Sequence, residues 1–92
     1  YYINFSLERG YRSIKLIINK LPFAKKYYIY RIISKNGRYS KVATLNSNSY
    51  EGEQIIWTNY KLSKNRTYYY KIKVSNNNTS DFSGKKSART YK

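Results

Sequence analysis

Aromatic and β-branched residues alternate with polar residues in short runs along the chain. This period of two residues is typical of half-buried β-strands, in which successive side chains point to opposite faces of a sheet. The clearest run is 68–74, where Tyr68, Tyr70, Ile72 and Val74 occupy every second position. No long helical pattern is present. We therefore predict an all-β chain.

Seven runs follow this pattern and are separated by turn-forming residues. They cover 2–7, 13–19, 26–34, 39–45, 54–58, 68–74 and 83–91. Asn36-Gly37 is the strongest short-range signal of a β-hairpin, and it predicts that the third and fourth strands are antiparallel. The Asn-rich segment 76–81 is predicted to be a loop. Seven short strands and no helix predict an antiparallel, two-sheet sandwich.

The order of these residues resembles a bacterial fibronectin type III domain across nearly the whole chain. The segments that carry the resemblance are Ser13–Leu16 with Ala24, Tyr27–Arg31, the hairpin Asn36–Ala43, the run Tyr68–Val74 and the ending Ser83–Thr90. The resemblance implies an immunoglobulin-like fold, with residues 1–92 forming one domain. It also implies a module of a larger extracellular bacterial protein.

Three further residues are assigned structural roles. Leu62 and Tyr68 have the spacing of the family's tyrosine corner, in which the ring packs in the core and the hydroxyl bonds an upstream backbone group. The family's second strand usually ends in a core tryptophan, but this chain has Ile18 there. We expect Trp57 on the fifth strand, or additional tyrosines, to supply the missing volume.

The charge of the chain predicts an anionic partner. The 92 residues include 19 Lys and Arg but only 4 Asp and Glu, which gives a formal charge of +15. A small soluble domain needs a net charge of only roughly 2–8. The excess costs stability by self-repulsion, so it favours an anionic partner. Nucleic acid, an acidic cell-wall polymer, an anionic membrane and an acidic protein all fit this charge.

Catalytic chemistry is hard to assemble from this composition. The chain has no His and no Cys, and its carboxylates are Glu8, Glu51, Glu53 and Asp81. Exposed, solvated carboxylates are the ordinary interpretation of such residues. Glu51, Glu53 and Asp81 supply at most six oxygens, and only if all three bind through both oxygens, whereas calcium takes six to eight. We predict no enzyme activity, no metal, no cofactor and, without a run of roughly 18 apolar residues, no membrane span.

The alternation predicts one basic, tyrosine-rich face. If Tyr27 and Ile29 point to the core, then Tyr28, Tyr30 and Ile32 point outward. The predicted ligand-binding residues are Tyr28, Tyr30, Tyr69, Lys71 and Lys73, with Arg38, Lys41, Lys85 and Lys86 at the rim. Tyrosine rings stack on sugars or bases, and lysines neutralise phosphates or carboxylates. The alternative is purely structural: outward tyrosines form cross-strand pairs, and edge lysines prevent aggregation.

Three functions are compatible with these observations. The first is a non-catalytic accessory module of a secreted or cell-surface protein, which binds an anionic cell-wall polymer or glycan through this face. The second is an inert spacer between neighbouring domains of the same chain. The third is unspecific nucleic-acid binding, for which charge and aromatic residues suffice but no recognition helix is present. Salt-dependent binding to wall polymer, no binding, or a preference for oligonucleotides would distinguish them.

Overall fold

A computed structural model of the chain describes residues 3–22, 24–32, 37–74 and 83–92. The strands are β1 (Phe5–Gly10), β2 (Ser13–Asn19), β3 (Lys26–Ile32), β4 (Ser40–Asn46), β5 (Gln54–Asn59), β6 (Thr67–Val74) and β7 (Lys86–Arg89). A single 3-10 turn, Ser47–Ser49, follows β4. No helix in the described ranges has the length and apolar character required to cross a membrane. The predicted all-β class and seven strands are confirmed.

The strands form two antiparallel sheets. One sheet has three strands in the order β1-β2-β5, and the other has four in the order β4-β3-β6-β7. The predicted pairing of the third and fourth strands is confirmed, since β3 and β4 are antiparallel neighbours. Asn36 of the predicted hairpin and the predicted loop 76–81 lie outside the described residues. The chain is therefore the predicted two-sheet sandwich.

The first and last strands have other bounds than predicted: Phe5–Gly10 instead of 2–7, and Lys86–Arg89 instead of 83–91. The first strand begins at Phe5 and continues to Gly10, because pairing with β2 extends beyond the apolar alternation to the pair Gly10 and Ser13. The last strand begins only at Lys86, because Ser83 contacts β6 separately. The Ser83 amide donates to Ile72 O at 2.7 Å, and the Ser83 hydroxyl accepts from the Ile72 amide at 2.8 Å. In both places backbone pairing, which the side-chain pattern does not encode, sets the limit.

The core lies between the inward faces of the two sheets. Its fully buried members include Ile14, Leu16, Ile18, Tyr27, Ile29, Ile55, Tyr70 and Ile72. Burying one such aliphatic side chain contributes about 1.5–3 kcal/mol. Trp57 is half-buried against this core, beside its cross-strand partner Leu16. The inward positions are those that the two-residue period selects.

Each buried tyrosine on the inward face has a partner for its hydroxyl. Tyr27 accepts a hydrogen bond from the Leu21 amide at 2.7 Å, and Tyr68 accepts one from the Ser63 amide at 2.8 Å. Leu62, next to Ser63, is 3% exposed. A buried phenol that lacks such a partner loses the hydration of its hydroxyl without compensation. These bonds therefore attach the connections before β3 and β6 to the core.

Asn59 connects the two sheets. Its Oδ1 on β5 accepts from the Tyr70 hydroxyl at 2.7 Å and from Arg31 Nη1 at 2.9 Å, and both donors belong to the four-stranded sheet. Burial raises the pKa of Tyr70, although the Arg31 charge opposes this shift. The neutral phenol is therefore the form that stabilises the contact between the sheets.

We expect Tyr70→Phe to lower the free energy of unfolding by about 1–2 kcal/mol, because a buried hydrogen bond is lost while its acceptor stays in place. Urea unfolding followed by circular dichroism measures the change. Tyr60→Phe is the matched control, since Tyr60 is 69% exposed. Equal midpoints for the two variants would contradict the proposed role of Asn59.

Stability should also depend on the ionisation of Tyr70. Because its pKa is raised on folding, the folded protein holds the phenol proton more tightly than the unfolded chain does. This contribution is complete below the ordinary tyrosine pKa of about 10 and is lost as pH rises towards the raised value. The difference in unfolding free energy between wild type and Tyr70→Phe should therefore shrink, by up to about 1.4 kcal/mol per pH unit. A difference that stays constant between about pH 9 and about pH 11 would contradict this.

Candidate functional site

The outer face of the four-stranded sheet brings the predicted tyrosines and lysines together. In the register of β3 and β6, Tyr28 is paired with Lys73 and Tyr30 is paired with Lys71. Tyr69 lies on β6 two residues before Lys71, so its side chain points to the same side. Directly paired residues project on the same side of a sheet. All five side chains are half-buried. The structure thus collects them on one surface, here called the outer face.

Lys41 adds a third lysine to the outer face. Lys41 lies on β4 and is the cross-strand partner of Tyr30 on β3. The register of the two strands shifts between Ile29 and Tyr30, so Lys41 and not Val42 is opposite Tyr30. Its Nζ lies 5.2 Å from the centroid of the Tyr28 ring, within the range of a cation–π contact. Tyr30 therefore has a lysine on each side, Lys41 on β4 and Lys71 on β6.

Ile32 points outward, as the alternation predicts, but it is shielded from water. It does lie on the outer side, since its cross-strand partner is Tyr69, but only 4% of it is exposed. Cross-strand partners have Cβ atoms about 4.5–5.5 Å apart, so a tyrosine ring can cover an isoleucine there. Ile32 is also separate from the cluster between the sheets. The outer face therefore carries apolar packing of its own.

Tyr39 belongs to the outer face, although the sequence analysis did not select it. Lys71 Nζ lies 4.3 Å from the centroid of its ring. Burial raises the pKa of Tyr39, and the neighbouring Tyr69 adds to the shift. Among the described residues, the Tyr39 hydroxyl is the one buried side-chain polar atom without a hydrogen-bond partner. The signal in the sequence was an aromatic residue at the start of the predicted fourth strand, two positions after Gly37.

The predicted rim residues separate into two groups. Arg38 precedes β4 and Lys85 precedes β7, and both are exposed. Lys86 is the cross-strand partner of the inward-facing Tyr70, so it lies on the opposite side of the sheet from the outer face. Its Nζ is 5.6 Å from the centroid of the Phe5 ring on β1. The β7 residues on the outer side are Ser87 and Arg89, and the sequence analysis missed the cation Arg89.

The described carboxylates are exposed and lie in two places, Glu8 on β1 and Glu51 with Glu53 before β5. Glu8 is exposed and lies 3.5 Å from Lys15 on the three-stranded sheet. Glu51 and Glu53 are exposed and line an open groove near the end of β2. In the described ranges, no three His, Cys, Asp or Glu side chains are grouped so that they could hold a metal ion.

Three tyrosines at one end of the sandwich are more exposed than the tyrosines of the outer face. Tyr11 is 59% exposed, Tyr60 is 69% exposed and Tyr91 is 48% exposed. Each lies just beyond the end of a strand: Tyr11 after β1, Tyr60 after β5 and Tyr91 after β7. Sequence reasoning missed them because only the folded chain brings these three strand ends together.

These features define a fibronectin type III-like sandwich, and comparison with solved structures supports the same fold. A Fn3-like protein from Clostridium thermocellum matches with a TM-score of 0.61 and 18% identity, covering 98% of this chain and 93% of that one. No protein-family model matches the sequence, and the comparison with curated proteins found no match. At this level of identity the likeness shows the fold alone.

Two other matches have larger molecular contexts. A β-1,2-glucanase from Parabacteroides distasonis matches with a TM-score of 0.75 and 22% identity over 99% of this chain. This chain spans only 12% of that glucanase. The sensor domain of the anti-sigma factor RsgI4 from Pseudobacteroides cellulosolvens matches with a TM-score of 0.64 and 17% identity, covering 98% of this chain and 73% of that one. Similar sandwiches therefore occur as parts of larger bacterial proteins.

We expect Tyr39→Phe to leave the free energy of unfolding unchanged or to raise it by up to about 1 kcal/mol. The substitution removes a buried hydroxyl that has no partner, and it keeps the ring beneath Lys71. The measurement is urea unfolding of Tyr39→Phe and Tyr70→Phe under the same conditions. Both variants lose a tyrosine hydroxyl oxygen, but only Tyr70→Phe is expected to lower the free energy of unfolding. A loss of more than about 0.5 kcal/mol would show that the hydroxyl does have a partner.

Proposed function

We propose that this chain is a non-catalytic accessory module of a secreted or cell-surface bacterial protein, whose outer face binds an anionic cell-envelope polymer or glycan. The observation that carries the proposal is the row Lys41, Tyr30 and Lys71 across three adjacent strands. Neighbouring strands are about 4.8 Å apart, so the two lysine backbones are about 10 Å apart. The row presents an aromatic ring between two cations.

The charge distribution supports an anionic ligand. None of the described carboxylates lies on the outer face: Glu8 is on the three-stranded sheet, and Glu51 and Glu53 follow β4. The outer face itself carries Lys41 on β4 and Lys71 and Lys73 on β6. Exposed charges attract polyanions over a Debye length of about 8 Å at physiological salt.

The rings give the lysines a defined platform. Lys41 lies over Tyr28 and Lys71 lies over Tyr39, which restricts where each ammonium group can reach. Lysine side chains otherwise lose up to about 2 kcal/mol of rotamer entropy when a contact fixes them. A surface that already restrains its cations loses less entropy on binding.

The composition and the exposed positions of the carboxylates support a non-catalytic role. The chain has no His or Cys to act as a general base or thiol nucleophile. Glu51 and Glu53 are exposed, as ordinary surface carboxylates are. A chain that spans 12% of a matched glucanase is consistent with a module beside other domains of the same polypeptide.

We expect the triple variant Lys41→Gln, Lys71→Gln, Lys73→Gln to weaken binding to teichoic-acid-bearing cell walls by roughly tenfold. Each exposed charge contact contributes about 0.5 kcal/mol, and three together approach the 1.4 kcal/mol that corresponds to a factor of ten. Sedimentation of the protein with purified walls over a range of salt concentrations measures the affinity. The salt dependence should also become shallower in the variant.

The control is Lys15→Gln, Lys25→Gln, Lys86→Gln, which removes the same charge from residues that are not on the outer face. Equal weakening in both triple variants would show that net charge, not the outer face, determines binding. No wall binding by the wild type would favour the inert spacer. Tighter binding to oligonucleotides than to walls would favour the nucleic-acid alternative.

A further inference from the structure

The end of the sandwich where β1, β5 and β7 finish presents tyrosines beside cations. We call it the C-terminal pole and define it as residues 9–12, 60–66 and 89–92. Each exposed tyrosine there is followed directly by a cation: Tyr11 by Arg12, Tyr60 by Lys61 and Tyr91 by Lys92. The pole also contains Arg9, Lys64, Arg66 and Arg89, and no Asp or Glu. It is therefore aromatic and cationic throughout.

Backbone hydrogen bonds fix the segments that carry these tyrosines. The Leu62 amide donates to Arg12 O at 3.0 Å, and Arg12 Nε donates to Leu62 O at 3.0 Å. The Tyr91 amide donates to Gly10 O at 2.9 Å, and the Asn65 amide donates to Tyr91 O at 2.9 Å. The two turns and the C-terminal segment are thus joined to one another.

Left-handed backbone is concentrated at the same pole. Among the described residues other than glycine, positive φ occurs at Arg12 (58°), Lys61 (61°) and Asn65 (53°). This conformation is unfavourable for a residue with a Cβ, and such residues persist where the surroundings hold them. Two of the three directly follow an exposed tyrosine. The tyrosines are therefore held outward by fixed turns.

We propose that the C-terminal pole is a second binding site, which takes a carboxylate-bearing sugar chain. A sugar ring offers an apolar face that stacks on tyrosine, and its carboxylate pairs with a guanidinium or ammonium group. Such a chain alternates apolar faces with anions, as the pole alternates rings with cations. Within the pole, the Cζ atom of Arg9 lies 4.3 Å from the centroid of the Tyr91 ring, so a guanidinium group and an aromatic ring are already in contact there.

A protein partner fits this pole less well. The centre of a protein interface is enriched in tyrosine and arginine but depleted of lysine, whereas Lys61 and Lys92 directly follow two of the exposed tyrosines here. At the pole, the exposed large apolar side chains among the described residues are the three tyrosines, and a cation adjoins each one. The fourth such side chain of the described residues, Ile56, lies on β5 beside the open groove. The interruption by charge therefore favours a glycan.

The test is a titration of the protein with galacturonic acid oligomers, followed by backbone amide NMR. We expect shifts at the pole segments 9–12, 60–66 and 89–92. The double variant Tyr11→Ser, Tyr60→Ser should weaken binding at least tenfold, whereas Tyr11→Phe, Tyr60→Phe should retain it because the rings remain. Both positions are more than half exposed, so the fold should tolerate either change, and unfolding midpoints check this.

Three further binding experiments distinguish this site from the outer face and from other ligands. The Lys41→Gln, Lys71→Gln, Lys73→Gln variant should retain the shifts at the pole, since it alters only the outer face. Neutral galactose oligomers should bind at least tenfold more weakly than the acidic ones. Poly-glutamate is the test for an acidic protein segment as the ligand. If it binds as tightly as the acidic sugar oligomers and also requires Tyr11 and Tyr60, the proposal is overturned.

Wild-type affinity in the Tyr11→Ser, Tyr60→Ser variant would also overturn it. If that variant binds normally while the outer-face variant fails, the proposed function stands and the pole is not a site. If the reverse holds, the pole is a site and the outer face is not. The absence of any shift with the acidic oligomers would overturn the pole site without bearing on wall binding.

Discussion

The sandwich depends on supplying a partner for every hydroxyl that its core tyrosines bring inward. Tyr27, Tyr68 and Tyr70 provide much of the volume between the sheets, and each carries a polar atom to the margin of the core. Two of the partners are backbone amides of connecting segments, Leu21 for Tyr27 and Ser63 for Tyr68. The third is the Asn59 side chain of the opposite sheet, which accepts from Tyr70. The core and the connections around it are therefore stabilised together.

This constraint determines where the contact surfaces lie. With Asn59 held by Tyr70 and Ser63 held by Tyr68, the turn between β5 and β6 is fixed at its start and at its middle. Thr90 extends the same arrangement, since its buried hydroxyl donates to Ser63 O at 2.6 Å. Tyr60 therefore projects from a turn that the core itself orients. An exposed ring on a fixed turn loses less entropy on binding than a ring on a mobile one.

The sequence predicts what the two-residue period controls and fails where other effects decide. The period separates Tyr27 from Tyr28 and Tyr69 from Tyr70, because one face of each strand must avoid water. It cannot show that Lys86 lies inward, since β7 lacks an apolar alternation and its register is set by pairing with β6. The return of Tyr39 to the sheet and the approach of the three strand ends at the pole are tertiary effects. The outer face was therefore predictable in large part, and the pole was not.

The two proposed surfaces are continuous along the strands. On β6 the outer face runs from Lys73, paired with Tyr28, to Thr67, paired with Arg89, which is about 20 Å at the rise of a strand. Arg89 then donates to Asn65 Oδ1 at 3.0 Å, and Asn65 belongs to the pole. A polymer aligned with the strands can thus pass from lysines on a sheet to tyrosines on turns without crossing a described carboxylate. Because contacts on one polymer reinforce each other, two weak sites joined in this way bind a long chain more tightly than either site binds a short one.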